Sequence, residues 1–223
     1  TASENNAWLL NIRGNDSLYS PIPNSYILID QNQNVNFFCD LKKITSLFKK
    51  KFNRVKFIDI NSVEEILLKI KKKRFIIDNN TCSIYFENII LKNNKIISKQ
   101  DSIYFLKAIK TKNEIKNIKQ AHIKDGAALT KYLFWLKKNF INKKITEISA
   151  AKKLLSFRKK NKDFNFLSFP TISGTGPNGA IIHYKATKTS NRKLKKGDIY
   201  LVDSGGQYNY GTTDVTRTIS LQN

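Results

Sequence analysis

The chain has 223 residues and a net charge of +23, which arises from 40 Lys and Arg against 17 Asp and Glu. Its 40% hydrophobic residues suffice for a packed core and argue against wholesale disorder, and the length suits one large domain or two small ones. No apolar run approaches the roughly 20 residues that a membrane span needs, and two cysteines cannot build a disulfide scaffold, so we expect a cytoplasmic protein with reduced Cys39 and Cys82 and no membrane partner.

The positive charge raises the question of a nucleic-acid partner. It is spread over residues 41–198 and forms no Arg-rich stripe, and no aromatic motif of the RNA-binding type accompanies it. Lysine runs at the ends of apolar segments are typical of solvated helix ends. We therefore expect no nucleic-acid partner.

The first hundred residues alternate strand and helix patterns. Short β-branched or aromatic runs predict strands, at residues 26–29, 35–38, 55–60, 75–77 and 83–86. A polar tetrad between the first two runs predicts a hairpin. Helices are predicted from Asp40 to about residue 52, and after Ser62, which can form a capping box with Glu65. This alternation predicts an α/β domain over residues 1–100.

From residue 101 onwards, long helices come first and strands follow. A capping box of Thr111 and Glu114 opens the longest predicted helix, to about residue 138, and Thr146 caps a helix over 147–160. Strands are predicted at residues 166–169, 180–184, 199–203 and 213–219. This order predicts an α+β second domain over 101–223.

His122 lies on the apolar stripe of the longest helix, one turn from Asp125. A metal ligand or catalytic base is one interpretation of this histidine. We favour the other, a buried histidine that is hydrogen-bonded to Asp125.

Glycines at positions 174, 176 and 179 match the spacing of a dinucleotide-binding loop. Such a loop must open a helix, because the phosphate binds the free N–H groups of the first helical turn. A predicted strand follows here, and Pro177 removes one N–H donor. We therefore expect a turn between two strands that lets a ligand approach closely, and no nucleotide site.

Two aspartates fall at the ends of successive predicted strands. If these strands pair across a turn at 207–211, Asp203 and Asp214 face the same side of the sheet. Two carboxylates this close repel unless they share a proton or bind a cation. A metal site is one interpretation, and aspartates that only form turns are the other.

Three ordered motifs carry a resemblance to a known family. They read SFPTISGTGPNGAIIHY at 168–184, GDIYLVDSGGQY at 197–208 and GTTDVTRT at 211–218. Together with AWLLNIRG at 7–14 and TEISAAKKL at 146–154, they resemble the Xaa-Pro aminopeptidase (aminopeptidase P) family of M24 metallopeptidases. The resemblance implies a creatinase-like α/β amino-terminal domain, followed by the first half of an α+β pita-bread catalytic domain. It also implies that this chain is a piece truncated at both ends.

The resemblance implies roles for three residues. Asp203 corresponds to the aspartate that binds one metal through both oxygens, and Asp214 to the one that bridges two metals. His183 corresponds to the catalytic histidine beside the metals. Tyr210 stands where many members have Asp, at a position that is not a ligand in the family. A further His and two Glu that complete the family's metal site are expected downstream of the last residue.

The implied activity is metal-dependent release of an N-terminal residue from peptides with proline in second position, by the intact protein rather than by this piece alone. Two divalent ions are implied, with manganese as the family's usual metal; the sequence does not choose manganese over zinc or cobalt. A homodimer of the full-length protein stays open. So do two alternatives: a non-catalytic pita-bread binding module, and a related Xaa-Pro dipeptidase or creatinase-type hydrolase.

Overall fold

The structure is a computed structural model that describes residues 1–222. The chain divides into two compact units, one over Thr1–Ile109 and one that begins at Lys110, and each is described by itself. In the part of the chain that the structure describes, no helix combines the length and apolar character that crossing a bilayer requires.

The first unit alternates strands and helices. In chain order its elements are α1 (Ser3–Leu9), β1 (Tyr26–Ile29), β2 (Val35–Cys39), α2 (Ser46–Lys49), β3 (Val55–Asp59), α3 (Val63–Lys69), β4 (Arg74–Ile77), α4 (Ile84–Leu91), β5 (Lys95–Ser98) and α5 (Ile103–Ala108). β1 pairs antiparallel with β2, β2 pairs parallel with β3, and β4 pairs parallel with β5. The predicted α/β architecture and the β1–β2 hairpin are confirmed.

The prediction of one helix over residues 40–52 is wrong. Asp40 caps only a 3₁₀ turn over Leu41–Lys43, and α2 then begins anew with its own N-cap, Thr45. The apolar spacing suggested one continuous helix, but two successive capping side chains divide the segment into separate short turns.

Residues 83–86, predicted as a strand, begin the helix α4. The Ser83 hydroxyl accepts a hydrogen bond from the Phe86 amide, and the helix buries Ile89 and Ile90. A short apolar run does not by itself distinguish a strand from a buried helix turn. The predicted capping box at Ser62 is also wrong, because this side chain makes no capping hydrogen bond.

The first unit extends past residue 100 to Ile109 because α5 packs against α1. The Tyr104 hydroxyl donates to Glu4 at 3.0 Å, and the Asn5 amide donates to Asp101 at 2.7 Å. These contacts place α5 with the first unit, whereas the sequence interpretation put the boundary before it.

Both cysteines are buried and unpaired, in agreement with the expected reduced thiols. Burial raises the pKa of Cys39 to about 11, so this thiol stays protonated at neutral pH.

The second unit packs two long helices against two small sheets. Its elements are α6 (Lys112–Asn139), α7 (Glu147–Arg158), β6 (Phe164–Leu167), β7 (Ile172–Thr175), β8 (Ile199–Ser204), β9 (Gly206–Tyr208), β10 (Gly211–Thr212) and β11 (Val215–Ser220). All strand pairs are antiparallel, in the orders β7–β8–β11 and β6–β9–β10. The Thr111–Glu114 capping box and the Thr146 N-cap are both present as predicted. The α+β order of this unit is confirmed.

The prediction of a strand at residues 180–184 is wrong. Residues Gly176–Ala180 form a 3₁₀ turn, and a bend and a turn follow, in which His183 adopts φ +53°. A left-handed residue ends any extended run. Gly174 is required by the fold itself, because a Cβ there would lie 2.9 Å from the Asn178 carbonyl oxygen. The loop therefore packs on itself and does not turn two strands.

The favoured interpretation of His122 is also wrong. Its side chain is exposed, and its Nδ1 lies 2.9 Å from the carbonyl oxygen of Ile118. Asp125 is fully buried and pairs with Arg158 instead.

Candidate metal centre

Asp203 lies near the end of β8, the central strand of its sheet. Its neighbours across the sheet are Ile172 on β7 and Thr216 on β11. One carboxylate oxygen of Asp203, Oδ1, is buried and has no hydrogen-bond partner among the residues that the structure describes. A buried carboxylate oxygen without a partner loses its hydration and gains nothing in return, so the site favours a cation there.

Asp214 precedes β11 by one residue and is exposed. Thr216 faces Asp203 in the antiparallel register, and Asp214 lies two positions before Thr216, so the two carboxylates project from the same face of the sheet. Thr213 fixes this position: its amide donates to the Gly206 carbonyl at 2.9 Å, and its own carbonyl accepts from Ser168 at 2.8 Å.

His183 is the third predicted site residue. It is exposed and lies between Ile182, which is 86% exposed, and Tyr184, which is buried. His183 thus lies between an exposed side chain and a buried one, and the buried Tyr184 anchors the segment that carries His183.

The three predicted residues line one cavity of about 340 Å³. Five further residues complete its lining: Phe169, Pro170, Ile172, Tyr184 and Lys185. The sequence interpretation did not assign these five a role, although four of them lie inside the motif at 168–184 and Lys185 follows it directly. The catalytic and ligand roles of the three residues stay predictions.

The carboxylates of Asp203 and Asp214 are suitable ligands for a hard divalent cation, but they form only part of a coordination sphere. Two carboxylates facing one cavity repel each other, and a cation between them reverses the sign of that interaction. Oxygen ligands of this kind suit Mn²⁺ and Mg²⁺. Within residues 1–222, no three His, Cys, Asp or Glu side chains cluster as a metal site, so the described residues supply only part of a coordination sphere.

A buried ion pair lies behind the strand that carries Asp203. Arg158 donates to Asp125 from Nε at 2.7 Å and from Nη2 at 2.9 Å, and both side chains are fully buried. Arg158 also reaches the Ser204 hydroxyl at 3.1 Å, and the Tyr208 hydroxyl donates to Asp125 at 2.7 Å. Burial and the Asp125 carboxylate raise the pKa of Tyr208, which therefore stays a neutral donor. The pair ties α6 and α7 to the bend between β8 and β9.

Glycine at position 205 is predicted to be indispensable to this bend. A Cβ there would lie 1.9 Å from the Thr213 carbonyl oxygen and 2.2 Å from the Ser168 hydroxyl oxygen. Gly205→Ala should lower the free energy of unfolding by about 1–3 kcal/mol, because the backbone that positions Asp203 and Asp214 must shift. Urea unfolding of the purified variant measures this change.

Gly126→Ala is the matched control. Gly126 lies inside α6, and a Cβ there meets no atom within 4 Å. This substitution should raise the free energy of unfolding by about 0.5–1 kcal/mol, the usual helix preference for alanine. Equal effects of the two substitutions would contradict the account of the bend.

The family models divide the chain close to the boundary between the two compact units, which falls after Ile109. Residues 1–114 match the Creatinase/Prolidase N-terminal domain, and residues 116–223 match Metallopeptidase family M24. The chain belongs to the M24 metallopeptidases that carry a creatinase-type N-terminal domain. The family predicted from the motifs is therefore confirmed.

Curated relatives match nearly the whole of this chain and are themselves longer. Xaa-Pro aminopeptidase 1 of Dictyostelium discoideum is 39% identical over 220 residues, which is 96% of this chain and 34% of the relative. An Xaa-Pro aminopeptidase of Drosophila melanogaster is 38% identical over 224 residues, with 96% and 36% covered. The chain thus spans about a third of the length of these relatives.

Solved structures agree with the M24 fold. An X-prolyl aminopeptidase from Caenorhabditis elegans, described as a cytosolic enzyme with a di-nuclear active site, superposes with a TM-score of 0.87 at 30% identity, over 99% of this chain and 37% of that chain. The prolidase from Pyrococcus furiosus gives a TM-score of 0.69 at 24% identity, over 98% and 60%, and supports the fold alone. The predicted fold class, a creatinase-like α/β domain followed by the first half of an α+β pita-bread domain, is confirmed.

Proposed function

We propose that the full-length protein containing these residues is a metal-dependent Xaa-Pro aminopeptidase, which releases the N-terminal residue from peptides with proline in second position. The observation that carries this proposal is the convergence of His183, Asp203 and Asp214, from three separate motifs, on one cavity. The names of the relatives at 38–39% identity support it.

Asp203 and Asp214 are proposed to hold two divalent metal ions, which we take to be manganese. The di-nuclear site of the Caenorhabditis elegans relative and the unpartnered oxygen of Asp203 support this assignment. Divalent ions bound there supply Lewis acidity, which polarises a carbonyl group and lowers the pKa of a coordinated water. Asp203 and Asp214 themselves carry the negative charge that retains such ions in the cavity.

His183 is proposed to act on the scissile carbonyl group. A ring N–H of this histidine donates a hydrogen bond to the carbonyl oxygen and stabilises the negative charge that develops there. The exposed position of His183 at the cavity leaves its ring accessible to a peptide. Phe169 and Pro170 line the same cavity and provide apolar surface for the ring of the substrate proline.

The substrate class explains why a dedicated enzyme is needed. The bond before proline is a tertiary amide: it has no N–H, and the pyrrolidine ring fixes φ. A peptidase that binds its substrate through that N–H loses the contact at such bonds, whereas a cation site that binds the carbonyl oxygen does not depend on it.

Hydrolysis of three peptides by the full-length protein with Mn²⁺ tests the proposal. An Ala-Pro-Ala peptide should be cleaved to alanine and Pro-Ala, whereas Ala-Ala-Ala should be cleaved at least about 100-fold more slowly. Cleavage of the Ala-Pro dipeptide alone would replace the proposal by an Xaa-Pro dipeptidase. Absence of any cleavage, with Mn²⁺ bound, would favour a non-catalytic binding module.

The proposed location is the cytoplasm, because the Caenorhabditis elegans relative is described as cytosolic. The proposed partners are peptide substrates with proline in second position. A homodimer of the full-length protein stays a prediction, which sedimentation of that protein would test.

A further inference from the structure

Besides Asp125, the M24 unit buries the carboxylate of Glu147. Unlike Asp125, Glu147 forms no ion pair with a described residue. Glu147 is the first residue of α7 and is fully buried, and no Lys, Arg or His side chain forms a salt bridge with it in residues 1–222. A buried carboxylate is costly unless hydrogen bonds replace its lost hydration. Its donors therefore show what the residue does.

Among the residues that the structure describes, the donors to the Glu147 carboxylate all come from one segment, residues 175–192. They are the amide of Thr175 at 2.8 Å, Nδ2 of Asn178 at 3.0 Å, the Tyr184 hydroxyl at 2.9 Å and the amide of Arg192 at 2.9 Å. We call Glu147 and these four donors the Glu147 hub. His183 lies inside this segment, so the hub closes the loop that carries it.

In the Glu147 hub, the carboxylate oxygens act only as acceptors, and every hydrogen in these contacts comes from a donor in residues 175–192. Tyr184 has one hydroxyl hydrogen, and the charged Glu147 oxygen is a stronger acceptor than the Ser190 oxygens, which lie 3.0 Å away. Each carboxylate oxygen faces a backbone N–H: Oε1 faces Thr175, and Oε2 faces Arg192. In Glu147→Gln, the side-chain NH₂ group would therefore face a backbone N–H donor in either orientation of the amide.

The hub holds a strained position. His183 adopts φ +53°, a left-handed conformation that costs a residue with a Cβ roughly 1–2 kcal/mol. Ile181 and Ile182, which precede it, are exposed and contribute little packing. The next residue, Tyr184, is anchored through its hydroxyl to Glu147 and through its amide to the Ile181 carbonyl at 3.2 Å.

We propose that Glu147 is a positioning residue, which fixes His183 at the cavity by clamping residues 175–192 through the hub. The consequence for catalysis rests on the proposed function, but the clamp itself is a property of the folded chain. Glu147 does not line the cavity, so it acts through His183 rather than on a substrate.

Hydrogen exchange measures the clamp without any activity assay. Tyr184→Phe removes one donor from the hub, and Tyr208→Phe is the matched control, because its hydroxyl also donates to a buried carboxylate, that of Asp125. In Tyr184→Phe, amides in 175–192 should exchange about five- to tenfold faster than in the wild type, as expected for one lost hydrogen bond. The His183 ring resonances should shift. In Tyr208→Phe, neither should change.

Glu147→Gln should have a larger effect than Tyr184→Phe on the same amides, above all on Thr175 and Arg192. Unchanged exchange in 175–192 and an unchanged His183 resonance in both hub variants would overturn the proposal, even if their thermal stability fell. If Glu147→Gln does not fold, the comparison of the two tyrosine variants decides alone.

Kinetics of the full-length protein separate this proposal from the proposed function. Glu147→Gln should lower kcat for Ala-Pro-Ala about tenfold or more with a smaller change in KM. An unchanged kcat beside faster exchange would overturn the link from the clamp to catalysis. A wild-type protein that cleaves no Xaa-Pro peptide would refute the proposed function and leave the exchange result to decide on the clamp.

Discussion

Asp203→Asn and Asp214→Asn, each introduced into the full-length protein, should reduce kcat/KM for an Xaa-Pro peptide by at least about 100-fold. Loss of residues that only orient metal ligands already costs about 10- to 100-fold, and these two carboxylates are proposed to be ligands themselves. Asparagine keeps the shape of the side chain and removes the charge. Steady-state hydrolysis in saturating Mn²⁺ measures the loss.

The fold of these variants should survive. Asp203 and Asp214 face one cavity, so removing one negative charge relieves repulsion when no cation is bound. Asp198→Asn is the matched control: it is the same substitution, in the motif that carries Asp203, at a residue that does not line the cavity. Activity within a few-fold of the wild type in Asp203→Asn or Asp214→Asn would refute the metal roles.

Asp125→Ala should lower the free energy of unfolding by about 3–5 kcal/mol. The substitution leaves the fully buried Arg158 guanidinium without its bidentate partner and removes the acceptor of the Tyr208 hydroxyl. One nitrogen of Arg158, Nη1, already lacks a partner in the described part of the chain, so this charge has little hydrogen bonding in reserve. Urea unfolding measures the change.

A paired substitution separates charge from packing. Asp125→Leu with Arg158→Met replaces both charges by apolar side chains and should be less destabilising than Asp125→Ala alone, because no unpaired charge stays buried. If the double variant were as unstable as the sum of the single variants, the ion pair would not be the source of the effect.

Local signals predicted the parts of the fold that depend on near neighbours. The Thr111–Glu114 capping box and the β1–β2 hairpin are each formed within one short stretch of sequence, and both are present. The errors at 83–86 and 180–184 share one cause. Short apolar runs fit a strand or a helical turn equally well, and the Ser83 cap and the left-handed His183 decide the outcome.

The motifs led to the three cavity residues, but the polar contacts behind them could not be predicted. Glu147 meets donors 28 to 45 residues away, and Asp125 meets Tyr208 across 83 residues. No periodicity encodes such a pairing, because it depends on how α6 and α7 pack on the strands. For His122 the sequence suggested a contact that does not form. His122 is near Asp125 in sequence, but the buried Asp125 pairs with Arg158, which is distant in sequence.

Mn²⁺ binding to the full-length protein, followed by electron paramagnetic resonance, tests most directly whether Asp203 and Asp214 form a cation site. The wild type should bind two Mn²⁺ ions per chain with a spin-coupled spectrum, as a di-nuclear centre requires. The variant with both Asp203→Asn and Asp214→Asn should lose that spectrum, whereas Asp198→Asn should keep it. The same coupled spectrum and affinity in the double variant would contradict the account.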